Sequence, residues 1–119
     1  TQMSRDHSQV QALIDAGQLT PAQARRDPRK NVVTRALGAG LDQEAVPDIR
    51  TVDAQCGDRL LICSDGLSDE LDDEALATVL DAGMRPQHTA EAAVAAALEA
   101  GGHDNTTALV VDLVPESAL

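Results

Sequence analysis

No phenylalanine, tyrosine or tryptophan occurs among the 119 residues. Aromatic rings normally supply the largest buried areas of a core. Here leucine, valine, isoleucine and alanine must do that work in small increments, so a folded domain of modest stability is expected. Positive charge is also scarce. Nine Lys and Arg stand against 20 Asp and Glu, a formal net charge of −11. A phosphate-backbone binder needs clustered cations, so nucleic acid is not an expected partner. Two cysteines, Cys56 and Cys63, form neither a C-x-x-C pair nor a zinc pattern. They are expected to be reduced thiols that pack as small hydrophobes. No signal peptide is evident, and no apolar run approaches the about 18 residues of a membrane span. The expected location is therefore cytoplasmic, with no membrane segment. The length suits one domain or part of one.

The acids that are present are unevenly placed. Six of the ten residues from Asp65 to Glu74 are Asp or Glu, whereas the cations gather at Arg25, Arg26, Arg29, Lys30 and Arg35. This split suggests a cation-binding end and a separate basic segment suited to an anion. Just before the acids, Leu60-Leu61-Ile62-Cys63 is a short apolar run that breaks at Ser64-Asp65-Gly66. A buried strand that delivers a carboxylate at its tip, followed by glycine, places that group at an edge where a ligand approaches the backbone closely.

Local signals predict the remaining elements. Ser8 is an N-cap for a helix over Gln9–Ala16, which Gly17 ends. Thr20-Pro21 starts a second helix over Ala22–Arg26, stopped at Asp27-Pro28. Val32–Thr34 favours a strand, and Gly38 and Gly40 make the segment after it mobile or tightly turned. Residues 9–47 thus resemble an excursion of short helices and loops, rich in basic residues and poor in large apolar ones. Asp48–Ala54 alternates as a strand and is joined through Gln55–Gly57, as a hairpin, to a strand over Asp58–Ser64. Leu67–Glu70 is a helical turn. Asp72 caps a helix over Asp73–Asp81, with acids in the first turn where the helix dipole favours them. Thr89 caps an alanine-rich helix over Ala90–Ala100. Gly101–Asn105 is a loop, Thr106–Leu113 a closing strand, and Pro115–Leu119 a frayed tail.

Two carboxylates stand out: Asp65 at the end of one strand and Asp104 at the start of another. If those strands are antiparallel neighbours, both acids meet at one sheet edge, and hard cations such as Mg²⁺ or Mn²⁺ take such oxygen ligands. The alternative is that both are turn residues, since Asp hydrogen-bonds its own backbone beside Gly or Asn. An EF-hand over 65–76 fails, because Leu67 and Glu70 stand where that loop needs a ligand and a glycine. Asp69, Glu70, Asp72, Asp73 and Glu74 read as a helix start and its solvated face. His88 reads as surface, and His103 as an exposed loop residue or a group near the metal or substrate. Asp6-His7-Ser8 with Ser64 invites a triad reading, but no G-x-S-x-G elbow is present.

GDRLLICSDGLSDEL, followed about forty residues later by GGHDNTTALVVDLV, resembles the C-terminal part of the bacterial type 2C, metal-dependent protein serine/threonine phosphatases, the PPM family. The opening RDHSQVQALIDAGQLTPAQARRDPRKNVVTRALG is similar to the same family, so the likeness covers about residues 5–114. It implies an α+β fold, part of a four-layer αββα sandwich in which two antiparallel sheets are flanked by helices. Residues 9–47 match the family's flap, and 48–114 its core strands and helices, within the C-terminal portion of a single catalytic domain. Asp65 matches the aspartate of the S-D-G motif and Asp104 that of the D-N motif, both metal ligands in the family. The implied chemistry is a two-metal hydrolysis of phosphoserine and phosphothreonine, with Mn²⁺ or Mg²⁺ ions, two or more in the intact enzyme, generating hydroxide and clamping the phosphoryl oxygens. The implied partners are phosphoprotein substrates and a Ser/Thr kinase pathway.

The family's N-terminal D-G-x-G-G segment, phosphate-binding arginine and G-D-S-R strand do not occur in residues 1–119. The chain is therefore expected to be a fragment, inactive alone, with the remaining catalytic groups elsewhere and no substrate-binding residue assigned within it. Exposed strands are expected to allow self-association. The other reading is a non-catalytic binding or regulatory module.

Overall fold

The computed structural model describes residues 1–38 and 46–118. The expectation at Gly40 lies outside these residues. The chain forms two compact units, Thr1–Thr51 and Val52–Leu119.

In the first unit, α1 spans Gln9–Asp15 and α2 spans Pro21–Ala24. Ser8 caps α1 as predicted, its Oγ accepting from the Gln11 amide at 3.2 Å. Gly17 follows α1 with φ +69°, a conformation only glycine adopts without strain. Thr20 and Gln23 form a reciprocal capping box around α2, with Pro21 at its first position. The two helices pack together, with Val10 and Ala24 buried. The strand expected over Val32–Thr34 reduces to a single bridge between Ser8 and Val33. Backbone bonds from Gln9 N to Val32 O (2.8 Å) and from Thr34 N to His7 O (2.7 Å) flank that bridge.

In the second unit, β1 (Arg59–Cys63) pairs antiparallel with β2 (Ala108–Asp112). Between them come α3 (Asp65–Ser68), α4 (Asp73–Leu80) and α5 (Pro86–Ala100), and a 3₁₀ turn over Glu116–Ala118 follows β2. Helices with a two-stranded antiparallel sheet make this an α+β fold, as expected. The register sets Arg59 opposite Asp112, Leu61 opposite Val110 and Cys63 opposite Ala108. α5 packs along β2. The core gathers Leu67, Leu71, Ala93 and Ala97, with Leu61, Leu76, Val79 and Ala108 against it. Ala93 and Ala97, four residues apart on one helix face, are almost wholly buried. Their small side chains allow close approach of α5, which is how a core without rings is filled.

The alternate face of the strand pair carries Leu60 and Ile62 from β1 and Leu109 and Val111 from β2, each between 37% and 62% exposed. Arg59 fastens the buried side. Its guanidinium bonds Asp112 through both carboxylate oxygens, at 2.5 and 2.7 Å, and also reaches the carbonyls of Leu80 (2.7 Å) and Met84 (2.8 Å) and the hydroxyl of Thr89 (3.2 Å). One cation thereby joins the strand pair, the end of α4 and the start of α5.

Three further expectations are corrected. Cys56 and Cys63 are free thiols, but both lie exposed and do not pack as core hydrophobes. Asp48–Ala54 forms no strand, and Ile49 and Val52 lie exposed. Alternating polarity describes a strand's faces, but pairing requires a neighbouring edge, and β1 takes β2 instead of a hairpin partner. Gln55–Asp58 does turn, with Asp58 N on Gln55 O at 3.0 Å. The alanine-rich helix starts at Pro86, not after Thr89. Proline's fixed φ is preorganised for a first helical position. Thr89 lies inside the helix, fully buried, with its hydroxyl on the carbonyls of Met84 and Arg85.

Candidate metal centre

Asp65 and Asp104 stand at the same end of the strand pair. β1 ends at Cys63, opposite Ala108 at the start of β2, so the segments that leave β1 and enter β2 run side by side. Ser64 continues the ladder, its N–H donating to Thr107 O at 3.1 Å. Its hydroxyl donates to Asn105 O (3.1 Å) and accepts from Thr107 N (2.9 Å). Thr106 returns the contact, its Oγ1 donating to Gly66 O at 3.2 Å. The residues on both sides of Asp65 are therefore bonded to the residues just after Asp104. This meets the antiparallel condition on which the pairing of the two acids was expected.

Gly66 makes the close approach possible. A Cβ there would lie 2.3 Å from the Asn105 carbonyl oxygen, inside any real contact distance. Ser64 precedes α3 in extended geometry, and Asp65 is the first helical residue.

Each carboxylate uses one oxygen locally. Asp65 Oδ1 accepts from Gly66 N at 2.9 Å and Asp104 Oδ1 from Asn105 N at 2.6 Å. These are the turn bonds of the alternative reading. Both residues are exposed, and among the described residues neither Oδ2 takes a hydrogen bond. The turn bonds thus use one oxygen on each acid and leave the other without a hydrogen bond, and hard divalent cations take such donors. Among the described residues no group of three or more His, Cys, Asp or Glu is assembled to hold a metal ion. Mn²⁺ or Mg²⁺ fits the donor chemistry of this edge, while two carboxylates make only part of a coordination shell.

Neighbouring groups narrow the chemistry. Desolvation, and then the charge of Asp65, push the Cys63 thiol up. The Ser64 hydroxyl is committed to Asn105 and Thr107, which argues against a serine nucleophile. Of the acids after Asp65, Asp72 caps α4 by accepting from Ala75 N at 2.9 Å, and Asp73 and Glu74 lie in its exposed first turn. Glu70 departs from the solvated face expected for it. Its side chain is only 11% exposed, and its Oε1 receives both the His103 backbone N–H (3.1 Å) and the His103 ring Nδ1 (2.7 Å). Sequence reasoning missed this contact. The one signal for it was the Gly101-Gly102 pair ahead of His103, which leaves room for another chain segment.

His7 and Ser8 belong to the first unit. His7 Nε2 lies 2.6 Å from Asp48 Oδ2, and Arg35 Nη1 stands 3.5 Å from Asp48 Oδ1. The hydrogen bond from His7 and the charge of Arg35 hold the Asp48 carboxyl below its ordinary value. No helix among the described residues is long and apolar enough to cross a membrane.

Comparison with known proteins places these observations. The serine/threonine protein phosphatase PstP of Mycobacterium tuberculosis is 40% identical over 116 residues, which make up 96% of this chain and 21% of PstP. Protein phosphatase PhpP of Streptococcus pneumoniae is 37% identical over 117 residues, 98% of this chain and 47% of PhpP. The crystal structure of the PstP catalytic domain in complex with two manganese ions superimposes with a TM-score of 0.79 at 37% identity, covering 97% of this chain and 46% of that one. The chain thus spans less than half the length of these relatives. The family model of stage II sporulation protein E (SpoIIE) matches residues 4–114, and with these likenesses the chain belongs to the SpoIIE/PPM-type phosphatase family.

Proposed function

We propose that this chain is the C-terminal portion of a Mn²⁺- or Mg²⁺-dependent phosphoprotein phosphatase that hydrolyses phosphoserine and phosphothreonine, with Asp65 and Asp104 as metal ligands. The observation that carries this reading is the clasp between Ser64–Gly66 and Asn105–Thr107, which brings two exposed carboxylates to one end of an antiparallel pair. When bound, the ions supply an activated water near neutral pH and offset charge on the phosphoryl group. Asp65 and Asp104 hold part of that centre with their remaining carboxylate oxygens. Ser64 and Thr106 keep the two segments in register, and Gly66 lets them touch.

The remaining ligands come from outside residues 1–119 in this reading, so the chain alone is inactive. The phosphatase acts in the cytoplasm and reverses the work of a Ser/Thr kinase. The exposed face of Leu60, Ile62, Leu109 and Val111 supports self-association of the isolated chain, because an apolar sheet face with open edges invites pairing.

The test is Mn²⁺-dependent hydrolysis of p-nitrophenyl phosphate by the full-length protein that carries this chain. Asp65→Asn and Asp104→Asn are expected to lower turnover by orders of magnitude and to weaken metal binding while leaving the fold intact. Normal turnover in both variants would overturn the ligand assignment. Turnover by residues 1–119 alone, abolished by Asp65→Ala, would overturn the claim that the centre is incomplete.

A further inference from the structure

We infer that Glu70 is a positioning residue that holds the Asp104 loop against the Asp65 segment, an inference that rests on the metal reading above. Asp104 lies between two anchors. On its C-terminal side, Asn105–Thr107 is bonded to Ser64 and Gly66. On its N-terminal side, Glu70 Oε1 binds the His103 backbone N–H at 3.1 Å and the ring Nδ1 at 2.7 Å. Both anchors originate in one short stretch, Ser64–Glu70, which also carries Asp65. The placement of Asp104 relative to Asp65 is therefore set from both sides by the same piece of chain.

The Glu70 contact has the character of a built junction. The Glu70 side chain is largely buried, whereas the His103 side chain it holds is 82% exposed. Gly101 closes beneath them. A Cβ there would meet His103 Cε1 at 2.4 Å, His103 Nδ1 at 2.6 Å and Glu70 Oε2 at 2.8 Å. Glycine at 101 is what allows the carboxylate and the ring to come together. A carboxylate accepting two N–H groups through one oxygen fixes both the backbone and the ring of the residue before Asp104. Groups that orient a metal ligand influence affinity without touching the ion.

Two readouts test this in the full-length protein: Mn²⁺ affinity from paramagnetic resonance of free Mn²⁺, and amide hydrogen exchange of residues 101–107 without metal. Glu70→Ala is expected to weaken Mn²⁺ binding about tenfold and to speed exchange at His103, with helical content unchanged. Glu70→Gln keeps an oxygen acceptor and is expected to fall between Glu70→Ala and wild type. Gly101→Ala perturbs the same junction from the other side and is expected to match Glu70→Ala, which keeps the inference testable should Glu70→Ala fold poorly. Unchanged affinity in Glu70→Ala and Gly101→Ala, with affinity lost in Asp104→Ala, would overturn the positioning role and leave the metal reading standing. Unchanged affinity in Asp104→Ala as well would overturn both.

Discussion

Gly66 and Asn105 stand so close that no side chain fits between them: a Cβ on Gly66 would lie 2.3 Å from the Asn105 carbonyl oxygen and 3.0 Å from its carbon. The obstacle is backbone, which cannot swing aside as a flexible side chain would. Gly66→Ala is therefore expected to push the Asp65 and Asp104 segments apart. Such overpacking costs about 1–3 kcal/mol, seen as a lower midpoint in urea, and Mn²⁺ affinity falls with it. An unchanged midpoint and affinity would mean that the loop gives way without disturbing the edge.

Arg59 offers a test of the second unit as a whole. Its guanidinium joins Asp112, Leu80, Met84 and Thr89, and both it and Asp112 are largely shielded from water. Arg59→Ala leaves the Asp112 carboxylate and two carbonyls without their cation. Losing several hydrogen bonds to a charged group at once is expected to lower the urea unfolding midpoint clearly. Arg59→Lys restores a charge but not the planar fork and is expected to recover only part.

The same pair predicts an acid response. The hydrogen bond from Arg59 and its charge hold the Asp112 carboxyl below its ordinary value of 3.8. A carboxyl whose folded pKa is depressed contributes stability above its unfolded pKa and loses it as pH falls through the folded value. The Asp112 contribution is thus intact at pH 7 and disappears on acidification below about pH 4. Asp112→Asn should flatten the stability profile in that range and leave its shape between pH 5 and 7 unchanged. In the first unit, the Arg29 side chain and amide lower the Asp27 carboxyl to about 2, so any dependence it adds lies between about pH 4 and pH 2.

The face of Leu60, Ile62, Leu109 and Val111 predicts the behaviour of the isolated chain. Residues 1–119 are expected to sediment as dimers or larger species at micromolar concentration, and Ile62→Lys with Leu109→Lys to return them to monomers. Both positions are more than half exposed, so the lysines extend into water without disturbing the α5 side. A monomeric wild-type fragment would exclude this face as a self-association surface.

Much of the local structure was legible in the residues. Ser8, Thr20-Pro21 and Asp72 announce helix starts because a side-chain oxygen answers an amide two or three positions on, a bond that needs no distant partner. Asp65 and Asp104 were legible as acids at strand ends, and their meeting at one edge depended on an antiparallel order that the pairing of β1 with β2 supplies. Thr89 misled because the same hydroxyl serves as a cap or as a buried bond to its own helix, and Pro86 decided which.

The sequence by itself determined that the core has no rings and, through caps that depend on neighbours a few residues away, where α1, α2 and α4 begin. Only the tertiary structure decided that Asp48–Ala54 stays unpaired, that Arg59 joins β1, β2, α4 and α5, and that Glu70 turns from a solvated acid into the anchor of His103. Those outcomes depend on contacts between residues 21 to 53 positions apart, set by how α5 packs on β2 and how closely two glycines let the loops approach.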